Sequence, residues 1–288
     1  MGRVDLQQEK PEKPFHNRTD HNERPAPCPV GTRLTASGPR MHGQIALRAD
    51  EQTARPPHTV NAMTTTISLT ADDGHTLNAF VAEPLGTAAA GIVVIQEIFG
   101  VNGHIQQDTT RFADAGYLAI APHMFDRVKA GVDLGYSAET IAEGRDYAMA
   151  LTPAGIIADV RAAATELQRR GVTKIGIVGY CFGGTVAASA ACHLSDLFTA
   201  SVAYYGGGVG DLVTSGAMPQ IPLMLHFGDK DVWITAETVE AVAAAWPGPV
   251  HRYDANHGFH CDQRADYDQA ASDLAQDRTL AWFAEHLG

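Results

Sequence analysis

The chain has 288 residues, 45% of them hydrophobic, and a formal net charge of −12, which is enough apolar material for one large domain with a substantial core. The acidic surplus repels phosphate backbones and argues against a nucleic-acid partner. No run of eighteen apolar residues occurs in the sequence, which argues against a membrane-spanning helix.

The first 62 residues read differently from the rest. They hold 8 of the 15 prolines and show no apolar periodicity that could bury a face, so residues 1–62 are expected to form a disordered extension. They lack the apolar core of a secretory signal, and their seven Asp and Glu are foreign to an organelle transit peptide. Met63 reads as an alternative translation start, which would leave a protein of 226 residues. The extension carries nine Lys and Arg against its seven acids, so residues 63–288 hold a charge of −14.

From Met63 onward the pattern is α/β. Ile67–Leu69 and Leu77–Ala82 flank the turn signal Asp72-Asp73-Gly74 and predict a hairpin. Gly91–Ile95 is continuously apolar, as a parallel strand covered on both faces would be. A helix over Ile105–Ala115 ends near Gly116, and the strand Tyr117–Ala121 stops at Pro122. After an irregular segment to Ser137, helical periodicity covers Ala138–Met149 and then runs from Pro153 to Gly171. The strand Lys174–Val178 leads into Gly179-Tyr180-Cys181-Phe182-Gly183-Gly184 and the small-residue helix Thr185–Cys192. Strands at Ser201–Tyr204, Pro222–Phe227 and Val250–Tyr253 alternate with a Gly-rich loop and a helix over Thr235–Ala245, and a last helix spans about Tyr267–His286. Repeated βα units imply one domain, residues 63–288, with a mainly parallel twisted sheet between helices. In that architecture ligands bind at the carboxyl ends of the strands.

The segment around Cys181 has the strand, sharp turn, helix context of a nucleophile elbow, in which glycines two residues before and after the central residue let strand and helix approach. A cysteine there would present a nucleophilic sulfur at a helix N-terminus. Two later strand ends carry partners: Gly228-Asp229-Lys230-Asp231 follows one, and Asp254-Ala255-Asn256-His257-Gly258-Phe259 follows the other. The chain order nucleophile, acid, histidine suits a triad in which His257 handles the thiol proton and an aspartate orients the imidazole. Asp231 is the expected acid, with Asp229 as the competitor. His257, His260 and Cys261 also invite a metal reading, but zinc takes three or four ligands at fixed spacing. No second ligand cluster accompanies them, so no metal and no other cofactor is expected. The four cysteines, Cys28, Cys181, Cys192 and Cys261, show no Cys-x-x-Cys spacing, which suits a reducing cytoplasm.

Gln96-Glu97-Ile98-Phe99-Gly100, the Cys181 elbow and Asn256-His257-Gly258-Phe259 together resemble the dienelactone hydrolase family, over roughly Thr65–Leu287. The resemblance implies an α/β-hydrolase fold, a triad of Cys181, Asp231 and His257, and an oxyanion hole from the backbone N–H groups of Ile98 and Phe182. It also implies that Glu97 contacts the resting thiol. Family members with dienelactone activity bind the substrate carboxylate through arginines. Arg145 matches the first of these, while Cys261 stands at the position of the second, which Arg264 would have to replace.

The expected protein is thus a cytoplasmic, cysteine-dependent hydrolase of a small carboxylic ester or lactone, acting through a thioester as a monomer or small homo-oligomer. The alternatives are a broad small-ester or thioester hydrolase and a catalytically silent α/β-hydrolase domain that binds a small ligand. A burst of leaving group from an activated ester separates both enzymes from the binder.

Overall fold

A computed structural model describes residues 62–88 and 90–288. The expected disordered extension lies outside the described residues but for Ala62. Strands β1 (Met63–Thr70) and β2 (Thr76–Glu83) form the predicted hairpin. It closes by a hydrogen bond from Gly74 N–H to the Ala71 carbonyl at 2.8 Å, with Gly74 at φ 84°. β3 (Gly91–Ile95) and β4 (Leu118–Pro122) follow, every residue of both being buried, as their unbroken apolar runs require.

The remaining strands are β5 (Ile175–Tyr180), β6 (Ala200–Tyr204), β7 (Leu223–Gly228) and β8 (Val250–Tyr253). They complete one eight-stranded sheet in the order β1-β2-β4-β3-β5-β6-β7-β8. β1, β2 and β4 pair antiparallel, and every pairing from β4 through β3 to β8 is parallel. The chain leaves β3 for β4 on one side and returns to β5 on the other. The carboxyl ends of β3 and β5 therefore lie side by side, with Ile95 opposite Gly179, at a point where strand order reverses and a ligand crevice opens.

Helices α1 (Gly103–Asp114), α2 (Ala138–Ala150), α3 (Pro153–Arg169), α4 (Phe182–His193), α5 (Val209–Thr214), α6 (Ala236–Ala245) and α7 (Gln269–Leu287) connect these strands. Five of the seven starts are set by side-chain caps: Asn102, Ser137, Thr152, Thr235 and Asp268 each accept a hydrogen bond from a first-turn backbone N–H. The irregular segment before Ser137 contains a 3-10 turn, Met124–Arg127. Arg127 ties it down, donating to Asp159 of α3 at 2.7 Å and to Asp73 of the hairpin at 2.7 Å.

Two elements differ from the sequence expectation. α4 begins directly after Cys181 instead of at Thr185, because Gly183 and Gly184, poor helix formers in isolation, are needed for close packing on β3 and β6. α5 lies within the expected Gly-rich loop, its six residues too few to show a period.

Candidate active site

Cys181 joins β5 to α4 as a one-residue turn with φ 54° and ψ −111°. Such a conformation costs a side chain other than glycine about 1–3 kcal/mol and persists only where the surroundings hold it. Here the Cys181 N–H donates to the Tyr204 carbonyl at 3.0 Å, and its own carbonyl accepts from Thr185 N–H at 3.2 Å. The flanking glycines are sites of close approach. A Cβ on Gly179 would strike the Gly183 carbonyl, and one on Gly183 would strike the Ile95 and Gln96 carbonyl oxygens.

The Cys181 sulfur lies 3.1 Å from Nε2 of His257, and Nδ1 of the same ring lies 2.7 Å from Oδ2 of Asp231. His257 stands in the loop after β8 and Asp231 in the loop after β7, so the carboxyl ends of the parallel strands β5, β7 and β8 supply the three groups. The other oxygen of Asp231, Oδ1, accepts from the backbone N–H groups of Trp233 at 2.8 Å and Ile234 at 3.2 Å, which locks the carboxylate. Asp229, the competing acid, turns away and pairs with Arg252 at 2.5 Å on the surface. Burial works against a charged imidazole, but the Cys181 sulfur and the Asp231 carboxylate outweigh it and hold the His257 pKa up at about 10.

These groups open onto a cavity of about 320 Å³ whose walls are mostly apolar, with Ile98, Phe99, Ile141, Phe182 and Trp233 among them. Both arginines singled out from the sequence line it, although 118 residues separate them. Arg145 lies over the Trp233 ring at 5.7 Å, and Arg264 lies over the Phe99 ring at 5.7 Å. Ile98 follows β3 and Phe182 opens α4, and both residues expected to supply oxyanion donors line the same cavity as Cys181. A second cavity of about 280 Å³, between α3 and α4, shares Phe182 and Thr185 but contains no part of the sulfur, imidazole and carboxylate line.

Glu97 is 1% exposed. Its Oε1 lies 3.5 Å from Nη1 of Arg264, while the hydrogen bond of the Cys181 thiol runs to His257. The expected contact of Glu97 with the thiol is therefore replaced by an ion pair with Arg264. Burial opposes the charge of Arg264, but Glu97 and its other neighbours raise its pKa above the usual guanidinium value.

The three residues weighed as metal ligands are not gathered. His257 faces Cys181, the His260 ring bonds Ser272 at 2.9 Å, and the Cys261 thiol donates to Tyr136 Oη at 3.3 Å. What the fold assembles instead is Glu97, His104 and Cys261, all buried, with potential ligand atoms within 4.8 Å of one another. His104 was not singled out from the sequence. Its only local signal is the His104/Asp108 spacing of four on one helix face, at 3.5 Å in the structure.

An eight-stranded α/β sheet with a cysteine elbow and a sulfur, imidazole, carboxylate line at its strand ends defines a cysteine-dependent α/β-hydrolase. The chain belongs to the dienelactone hydrolase family, matching it over residues 77–287. It is 36% identical to an Azospirillum brasilense protein provisionally assigned as a carboxymethylenebutenolidase, covering 78% of this chain and 100% of that one. It is 29% identical to the Pseudomonas putida carboxymethylenebutenolidase, over 77% of this chain and 97% of the relative. A Klebsiella pneumoniae structure provisionally assigned as a dienelactone hydrolase superposes with TM-score 0.65 at 27% identity, covering 77% of this chain and 99% of the other. A dienelactone hydrolase-like promiscuous phosphotriesterase from metagenomic libraries shares the fold, with TM-score 0.61 at 22% identity. The protein is accordingly a carboxylic ester hydrolase of the dienelactone hydrolase type. Among the described residues no helix is long and apolar enough to cross a membrane.

Proposed function

We propose that the protein hydrolyses a small unsaturated lactone carrying a carboxylate, with Cys181 as nucleophile, His257 as proton carrier and Asp231 as its orienting acid. The line from sulfur to imidazole at 3.1 Å and from imidazole to carboxylate at 2.7 Å carries this reading. The Cys181 thiolate adds to the lactone carbonyl, and the oxyanion is held by the backbone N–H groups of Ile98 and Phe182. Collapse forms the thioester and breaks the ring C–O bond, and the leaving enolate takes the proton carried by His257. The neutral imidazole then draws a proton from water, which cleaves the thioester and returns the thiolate.

Arg264 and Arg145 supply the positive charge that a substrate carboxylate would meet in an otherwise apolar cavity. Glu97 holds Arg264 while the cavity is free, and a substrate anion would share or replace that pairing. The catalytic unit comprises residues 63–288, with residues 1–62 a dispensable extension. The three free cysteines among the described residues fit a reducing, cytoplasmic setting.

The test is kcat/KM for an anionic dienelactone and for its neutral methyl ester in wild type, Arg264→Ala and Arg145→Ala. Loss of the arginine that pairs the anion is expected to cost about 2–5 kcal/mol for the anion, as truncating one partner of a buried pair does, and little for the ester. Equal use of both substrates by wild type rejects the carboxylate-lactone reading. It would favour a broad small-ester hydrolase, which the apolar cavity walls would also suit.

A further inference from the structure

Glu97, His104 and Cys261 come from three elements: the loop after β3, the first turn of α1 and the loop after β8. All three side chains are at most 1% exposed. Their donor atoms converge within 4.8 Å, yet two of the three groups have unspent capacity. Glu97 Oε2 makes no hydrogen bond, and neither do Nδ1 and Nε2 of His104. An unsatisfied buried carboxylate oxygen is costly, on the order of 1–3 kcal/mol or more for a charged group. One carboxylate, one imidazole and one thiol are also the donor types that zinc takes in three-ligand sites with an open fourth position.

We propose that Glu97, His104 and Cys261 form a binding site for a thiophilic divalent cation of the zinc class. A tetrahedral ion with ligand bonds of about 2.0–2.3 Å spaces its ligand atoms roughly 3.3–3.7 Å apart. The cluster must therefore contract by about an ångström at its widest, which two loop residues and a first-turn histidine can provide. Nε2 of His104 lies 3.5 Å from Oδ2 of Asp108, so Nδ1 is the nitrogen left for the ion. The Asp108 pairing is not a hydrogen bond in the free site, and its closing on metal binding would give the carboxylate, histidine, metal arrangement that fixes a ring and strengthens it as a ligand.

The neighbouring Arg264 is a charge the site must tolerate. It sits on Oε1 of Glu97, leaving Oε2 to the ion, and Asp266 at 3.6 Å shares the guanidinium. Binding breaks the S–H bond of Cys261 and forms a sulfur–metal bond, with one proton released to solvent per ion. A Glu97 carboxylate and a Cys261 thiolate then neutralise the dication. Because Arg264 also lines the catalytic cavity, the ion would sit directly behind the cavity wall.

The test uses the full-length chain with Cys28→Ser and Cys181→Ala, so that Cys192 and Cys261 are the remaining thiols. After chelation, Co2+ and Zn2+ are titrated separately. Expected are one ion retained per chain, a near-ultraviolet thiolate-to-cobalt band, release of one proton, and a rise in Tm that Mg2+, which prefers oxygen ligands, does not give. Adding Cys261→Ser should abolish the band, and His104→Gln should weaken binding by about 100-fold, at least the loss caused by removing an outer-shell partner. If Cys261→Ser does not fold, protection of Cys261 from alkylation by Zn2+ in the starting chain replaces it. Retention below one ion per chain, or a band that survives Cys261→Ser, overturns the proposal. In the alternative readout, unprotected Cys261 does so.

Discussion

Replacing Asp231 with Asn tests the proposed acid most directly, because the surrounding backbone dictates which way the new amide faces. Oδ1 of Asp231 accepts two backbone N–H groups, from Trp233 and Ile234. In Asp231→Asn the amide oxygen must keep that position, which aims the NH2 group at Nδ1 of His257. The imidazole is then forced to accept at Nδ1 and to carry its proton on Nε2, facing Cys181, where it can no longer take the thiol proton. Turning the amide round restores the useful tautomer but leaves two N–H groups unpaired, at about 1–3 kcal/mol each. The resulting cost of about 2–6 kcal/mol corresponds to a loss of roughly 30-fold to 3 × 10⁴-fold in kcat/KM at 1.36 kcal/mol per decade. Asp229→Asn removes only a surface pairing with Arg252. Such pairs contribute about 0–1 kcal/mol to stability, and its kcat/KM should stay within about two-fold of wild type, since the group does not touch the imidazole. Steady-state kinetics on p-nitrophenyl acetate, with circular dichroism to confirm folding, decide between them. Retention of more than a third of kcat/KM in folded Asp231→Asn, or an equal loss in Asp229→Asn, refutes the reasoning.

Stability should depend on pH through His257. Its folded pKa is raised to about 10, against about 6.5 when unfolded, so the native state binds the proton more tightly. The contribution is fully present below about pH 6.5 and is lost as pH rises through about 10. Urea denaturation between pH 6 and 10 should therefore show wild type losing stability relative to His257→Gln, and parallel profiles would contradict the shift. Deleting residues 1–62 should leave kcat/KM and Tm nearly unchanged, because the family match begins at residue 77 and the extension has no apolar periodicity with which to bury surface against the domain. A Tm fall of many degrees in the truncated chain would show that the extension contributes to folding.

Where the sequence was explicit, a single physical constraint governed the segment. Gly91–Ile95 has five apolar residues in succession, rich in β-branched Val and Ile, as a short strand buried on both faces would be, and β3 has those bounds. Cys181 and His257 stand in local motifs whose glycines meet a backbone demand, close approach at Gly179 and Gly183 and a positive φ of 76° at Gly258. The acid was harder to assign, since Asp229 and Asp231 share one loop and nothing local separates them. The choice is made by Asp231 bonding the N–H groups of Trp233 and Ile234, which points its second oxygen at a histidine 26 residues away. Glu97 was misjudged in its contact for a similar reason. Its partner Arg264 lies 167 residues downstream, in the segment between β8 and α7 that folds back over the end of β3.

The structure also explains why one thiol among several should be the nucleophile. Burial pushes the Cys192 thiol up to about 11. It pushes Cys261 up to about 12, with the Glu97 carboxylate adding to the effect. Both therefore keep their protons at neutral pH and are weak nucleophiles. Cys181 alone among these three has an imidazole within hydrogen-bonding distance of its sulfur, so its reactivity belongs to the pair and not to the thiol. Iodoacetamide at pH 7, followed by peptide mass spectrometry, should modify Cys181 well before Cys192 or Cys261. In His257→Gln the Cys181 rate should fall while the other two stay unchanged, because neither is in contact with that ring. Comparable labelling of all three cysteines in the folded wild type, or an unchanged Cys181 rate in the variant, would mean that His257 does not activate the sulfur.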